Sequence, residues 1–365
     1  MSWQGILGQD AVVERFRRTL ERGRLASSYL FAGPDGVGKR TLALKLAQTL
    51  LCSRSESTEM APCGECPTCQ QVQVQTHPDI EIVSLPEDKK DIPIELLIGD
   101  KKKDRRNKEG FCYNLSRKPL RGGRKIGIID DADLLNEAGA NCLLKTLEEP
   151  PPRSLLILLS TNVSRQLPTI RSRCQIMRFR PLTQSHLQEL IAKSEAIENP
   201  DRAKMLVGLE DAGLAESILW AEDPFWNFRS ELLKLLGHVP PPVEQLTQAV
   251  QSFVEQEKAP SERRKRMQLT FRLTSFFYRT LLHMAVGTEA EMESTDTPHL
   301  DEMLSLAVSK ARVFLEVDQN SAIESLTRMI ERSLAAEQQV DRNVNPGTLI
   351  GCWADDLGAC ISTPV

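Results

Sequence analysis

The chain has 365 residues, enough for two or three domains of ~100–200 residues, each with a sizeable core. With 41 % hydrophobic and 26 % charged residues it has the composition of an ordinary soluble globular protein. A net charge of −4 excludes a polycation built to coat nucleic acid, so any contact of that kind must be local.

The opening residues turn charged quickly and do not resemble a secretory signal. The most apolar stretch, Leu155 to Leu159, is far shorter than the ~20 residues a membrane span needs, so a cytoplasmic protein is expected. Residues 10–25 read as an amphipathic helix, with Val12, Val13, Phe16 and Leu20 at helical spacing. Tyr29 to Ala32 is a short apolar run that predicts a buried strand, and 39–51 reads as helix. Further strands are expected at Ile80–Val83, Ile126–Ile129, Leu155–Leu159 and Gln175–Phe179, with a helix from Ala138 to Leu147 before the fourth. Buried strands alternating with helices predict an α/β domain with a parallel sheet, ending near Pro181.

Residues 86–124 are charged and irregular and read as a surface insertion. Its polar run at 101–108 reads as a solvated loop, with a phosphate or partner contact as the alternative. From 182 onward the patterns are helical: 183–193, 200–207, 210–220 and 224–237 as a small bundle, Pro240 to Pro242 as a linker, then 243–257, 261–286, 299–315 and 319–339. The expected domains are 1–181, 182–240 and 241–365, and the last segment, 347–365, has no assigned role.

Gly33-Pro-Asp-Gly36-Val-Gly38-Lys39 follows a strand and opens a helix, the setting of a Walker A phosphate loop. Backbone N–H groups would cradle phosphate, the helix N-terminus favours the anion, and Lys39 would reach the outer phosphates. The next residue should carry the hydroxyl that holds Mg²⁺, but it is Arg40. Thr41 comes one residue late, rotated by about 100° on the helix. The strand ending in Asp130 and Asp131 has Walker B character. Asp130 would hold the metal, while Asp131 stands where a longer Glu would polarise water, roughly 1.5 Å short. The reading is a nucleotide pocket with damaged metal chemistry, so ATP and Mg²⁺ are doubtful ligands. No constellation for nucleotidyl transfer is seen beyond Asp130 and Asp131, so no polymerase site is expected.

Cys52, Cys63, Cys66 and Cys69 form a C-x10-C-x2-C-x2-C pattern. Two overlapping C-x2-C turns and a returning loop gather four thiolates, which predicts a closed, structural Zn²⁺ site within 52–69. His77 reads as a structural residue at the start of a strand rather than a fifth ligand.

Other stretches carry a likeness: Gly5-Ile-Leu-Gly-Gln9, Ser27 to Gly33, the cysteine insertion after the first phosphate-loop helix, Asn141-Cys-Leu-Leu-Lys-Thr-Leu-Glu-Glu-Pro-Pro151, and Ser172-Arg173-Cys174. Together with the phosphate loop they resemble the bacterial clamp-loader ATPases of the AAA+ superfamily, the gamma/tau and delta-prime subunits of DNA polymerase III. The resemblance covers residues 5–181 with specific motifs and thins beyond, where it rests on helical content and on Asn343 to Pro346. It implies a P-loop AAA+ domain with an inserted zinc module, a small helical lid, and an all-α collar at roughly 243–340. It makes Arg173 an arginine finger for a neighbour's ATP site, a role worth roughly 10³–10⁵ in rate, and places Thr161 in the sensor-1 region. Gamma/tau, delta, the sliding clamp and primer–template DNA become the expected partners. Arg40 and Asp131 depart from the motor subunits and favour the delta-prime branch, a stator that supplies its finger in trans. The alternative is an active gamma/tau-like ATPase.

Overall fold

The computed structural model describes residues 3–86, 89–100, 108–121, 123–193, 202, 222–286, 302–312, 319–340 and 344–362. The chain forms two compact units that divide between His186 and Leu187. Among the described residues no helix is long and apolar enough to cross a membrane.

The first unit is built on five strands: β1 (Ser28–Ala32), β2 (Ile80–Val83), β3 (Lys125–Ile129), β4 (Ser154–Ser160) and β5 (Gln175–Arg178). All pair in parallel, in the order β2-β3-β4-β1-β5. Parallel neighbours need crossover connections, and those helices cover both faces, so the central strands are largely apolar. Every residue of β1, β3 and β4 is buried. Side chains alternate between two cores. Tyr29, Phe31, Ile126, Ile128, Leu155, Ile157 and Leu159 face the core shared with α1 (Asp10–Glu21) and α2 (Lys39–Leu51). Leu30, Ile129, Leu156 and Leu158 face the opposite core.

That second core corrects the reading of 86–124 as a surface insertion. Beyond α3 (Pro67–Gln73), the segment folds into α4 (Ile94–Ile98) and α5 (Phe111–Ser116). Ile92, Leu97, Phe111 and Leu115 are fully buried, in the same cluster as Leu143 and Leu147 of α6 (Glu137–Glu148) and Ile170 of α7 (Pro168–Arg171). Only a few apolar residues flank the charged run, but each sits where a short helix meets the sheet. Most of the polar run, 101–107, lies outside the described residues.

The boundary helix is α8 (Gln184–Lys193). The helices expected at 200–207 and 210–220 lie outside the described residues apart from Arg202. The second unit continues with α9 (Asp223–Leu236), α10 (Val243–Glu255), α11 (Pro260–Ala285), α12 (Glu302–Ala311), α13 (Gln319–Val340) and α14 (Pro346–Ser362). Phe228 of α9 stacks flat on Phe253 of α10, with ring centroids 3.9 Å apart. Arg272 of α11 pairs with Glu337 of α13 at 2.6 Å. The unassigned C-terminal stretch is α14. Its Trp353 is fully buried, edge-on to Phe271 at 5.0 Å, and donates from Nε1 to Ser333 Oγ at 3.2 Å.

Candidate functional site

The phosphate loop occupies the turn from β1 into α2. Gly33 lies against the end of β5, where a Cβ would stand 2.6 Å from the Phe179 carbonyl oxygen, so only glycine lets the backbone pass. Gly36 and Gly38 take φ of +73° and +93°, left-handed values that turn the chain into α2. Lys39 is buried, and its Nζ donates to the carbonyls of Gly33 and Pro34, each at 2.6 Å, and to Asp35 Oδ1 at 3.3 Å. The ammonium thus ties the first turn of α2 to the start of its own loop.

Arg40 reaches across to the end of β3. Its Nη1 donates to Asp130 Oδ2 at 2.6 Å, and Nη2 donates to Gln75 Oε1 at 3.0 Å. The carboxylate that a Walker B strand offers to Mg²⁺ is therefore held by a guanidinium, in a short charge-assisted bond. No hydroxyl stands after Lys39, and Thr41 lies exposed on α2. A divalent ion needs oxygen ligands, so these residues do not fit Mg²⁺. Asp131 sits in the left-handed region at φ +53°, where its backbone N–H donates to Asp130 Oδ1 at 3.2 Å.

Asp133, which sequence reasoning missed, organises the neighbouring strand end. Its carboxylate accepts from Ser160 Oγ at 2.5 Å, Gln166 Nε2 at 2.9 Å, and the backbone N–H and hydroxyl of Thr161, both at 2.6 Å. The Thr161 hydroxyl is thus spent on Asp133. The only sequence signal was a third acid three residues after Asp130. Gln9 is buried and closes the same domain by a two-way bond, donating to Arg180 O at 2.8 Å and accepting from Arg180 N at 3.1 Å.

Arg173 follows α7 and is partly exposed. It donates from Nη1 to Thr169 O at 3.0 Å and Ser172 Oγ at 3.1 Å, and from Nη2 to Glu148 Oε1 at 2.6 Å.

The four cysteines come together. Cys52 caps the C-terminus of α2, Cys66 caps the N-terminus of α3, and Cys69 lies in the first turn of α3. Cys63 supplies the fourth sulfur. Sulfur–sulfur distances are 3.6 Å for Cys52–Cys63, 4.0 Å for Cys52–Cys66 and 4.0 Å for Cys63–Cys69. Four thiolates at ~2.3 Å from one tetrahedral ion lie about 3.8 Å apart, close to these distances, so the cluster could hold a metal ion. Backbone N–H groups of Cys66 and Cys69 donate to Cys63 Sγ and Cys66 Sγ, each at 3.4 Å. Burial works against the Cys52 thiolate, but hydrogen bonds from the backbone and Ser55 outweigh it and bring the thiol down to about 5. Burial, with the neighbouring thiols, pushes Cys69 up to about 12. His77 stands outside the cluster. It is buried, and its Nδ1 accepts from Asp79 N at 3.1 Å.

The predicted residues thus fall into three places: loop and strand end around Arg40 and Asp130, the exposed Arg173, and the cysteine cluster. Residues 8–183 match the family described as DNA polymerase III, delta subunit. The delta' subunit of DNA polymerase III from Bacillus subtilis (strain 168) is 26 % identical over 339 residues, covering 88 % of this chain and 96 % of that protein. The delta' subunit from Pseudomonas aeruginosa is 39 % identical over 153 residues, covering 42 % of this chain and 43 % of that protein. The tau subunit from Escherichia coli (strain K12) is 30 % identical over 221 residues, covering 60 % of this chain and 32 % of that protein. Residues 8–183 thus carry the pattern of the DNA polymerase III delta-subunit family, and the chain as a whole is similar to bacterial DNA polymerase III delta-prime subunits.

Proposed function

We propose that this protein is a delta-prime-type stator of a DNA polymerase III clamp loader. It stands beside a gamma/tau motor subunit in a ring that includes delta, offers Arg173 to the motor's ATP, and serves the loading of a sliding clamp onto primer–template DNA. The helices of 182–240 act as the lid and those of 241–365 as the collar of that ring. The cysteine cluster holds one structural Zn²⁺, a closed four-thiolate site with no position for a reacting water.

One observation carries the reading: the Arg40 guanidinium lies 2.6 Å from the Asp130 carboxylate. A motor needs that carboxylate for Mg²⁺. With Arg40 on it, and with Asp131 short and turned into the left-handed region, this chain's own loop has no metal chemistry to run. A partner's site, by contrast, needs from this chain only a positive charge. Arg173 is of the right kind, since a guanidinium stays charged and binds phosphate in a fork.

The test is ATP turnover and binding by the purified chain, with and without Mg²⁺. The wild-type chain is expected to show no Mg²⁺-dependent turnover. Arg40→Thr removes the guanidinium and restores the hydroxyl. It should bind ATP more tightly with Mg²⁺ than without by about tenfold or more, the worth of one charged hydrogen bond. Mg²⁺-dependent turnover by the wild type, abolished by Lys39→Ala, would make the protein a motor and end the stator reading.

A further inference from the structure

We propose that Glu148 is the positioning residue for Arg173: it holds the guanidinium in the direction from which it meets a neighbour's phosphate. This rests on the reading of Arg173 as a finger in trans.

The two side chains are brought together by the core beneath them. Leu147 precedes Glu148, and Cys174 follows Arg173. Both are buried in one cluster, together with Ile170 of α7. The backbone under each charged group is therefore fixed, while the Arg173 side chain is 34 % exposed and that of Glu148 50 %. Glu148 is also a poor choice on helical grounds alone. It lies in the last turn of α6, where the helix dipole disfavours an acid. Arg173, 2.6 Å away, supplies the answering cation.

Donor arithmetic favours positioning over capture. A guanidinium has five N–H groups. Thr169 O and Ser172 Oγ accept from Nη1, and Glu148 accepts from Nη2. Two N–H groups remain, one on Nε and one on Nη2, as donors for a phosphate. Glu148 thus steers the finger without exhausting its donors. Its long stem would otherwise sample many rotamers, and ordering them in advance removes that entropic cost from the reacting complex.

The experiment compares ATP hydrolysis by the reconstituted gamma/tau-containing assembly carrying wild-type, Arg173→Ala, Glu148→Ala or Glu148→Gln chain. Arg173→Ala should fall to the unstimulated rate. Glu148→Ala should lower kcat by roughly tenfold, as a loosely placed catalytic group does, and leave KM for ATP within about twofold, because a finger acts on the transition state. Glu148→Gln keeps an acceptor oxygen and should recover at least about half the wild-type kcat. Melting temperature and zinc content, equal across the variants, exclude a folding defect. If Glu148→Ala matches or exceeds the wild-type rate while Arg173→Ala fails, the positioning role is wrong and the finger reading stands. If Arg173→Ala hydrolyses at the wild-type rate, the finger reading itself is wrong.

Discussion

A guanidinium and a magnesium ion answer a carboxylate in different ways. The ion carries twice the charge and gathers phosphate oxygens around itself. The guanidinium donates hydrogen bonds in a plane and cannot ligate anything. Arg40 on Asp130 thus keeps the phosphate loop and β3 tied together and occupies the carboxylate that a metal ion would need. The residue types at both positions are legible in the sequence; their pairing is not, because they lie 90 residues apart. Another long-range pair sits at the opposite end of β3. Asp79 is fully buried and accepts from the backbone N–H of Leu120 at 2.8 Å and of Arg121 at 3.2 Å, and from Lys125 Nζ at 3.4 Å. Lys125, also buried, otherwise has only the Pro78 carbonyl, at 2.7 Å. Asp79→Ala strands that ammonium and two amides. We expect a loss of about 3–5 kcal/mol in urea unfolding, the cost of breaking a buried pair. A loss under ~1 kcal/mol would mean that solvent reaches Lys125 and that the pair is a surface one.

Elements differ in how plainly the sequence announces them. The five strands of the sheet lie within a residue of their expected ends, because each is a short, largely apolar run and the central three are buried on both faces. α4 and α5 escaped notice because each offers only two fully buried or nearly buried apolar residues, Leu97 and Ile98 or Phe111 and Leu115, beside a dense run of charge. α14 escaped because Gly347, Gly351 and Gly358 dilute its helical pattern. The glycine at 358 has a packing reason: a Cβ there would stand 2.6 Å from Val243 Cγ2 of α10. The cysteine module was the opposite case, since ligand spacing along the chain encodes its geometry. Its loop between α2 and α3 buries few apolar groups besides Met60, so a bound metal would supply what packing does not. Elemental analysis should find about one Zn²⁺ per chain. Cys69→Ser or a strong chelator should lower the melting temperature by several degrees or more. A metal-free chain with an unchanged melting curve would remove zinc from the account.

At the scale of the whole molecule, the chain forms two units of different make-up. The first presents three features: a phosphate loop whose metal position is filled by Arg40, a tetrathiolate cluster, and the exposed Arg173 on the far side of the sheet order from β2. The second is a helical assembly with its own aromatic core. Such a protein would act through its neighbour, and the two basic residues that matter should then respond oppositely to mutation. The decisive measurement is steady-state ATP hydrolysis by the reconstituted assembly of gamma/tau, delta, clamp and primed DNA, carrying either Arg173→Ala or Lys39→Ala in this chain. The account predicts that Arg173→Ala abolishes the stimulated hydrolysis while Lys39→Ala, if folded, leaves it near wild type. Loss of hydrolysis with Lys39→Ala and none with Arg173→Ala would contradict it and make this chain a motor in its own right.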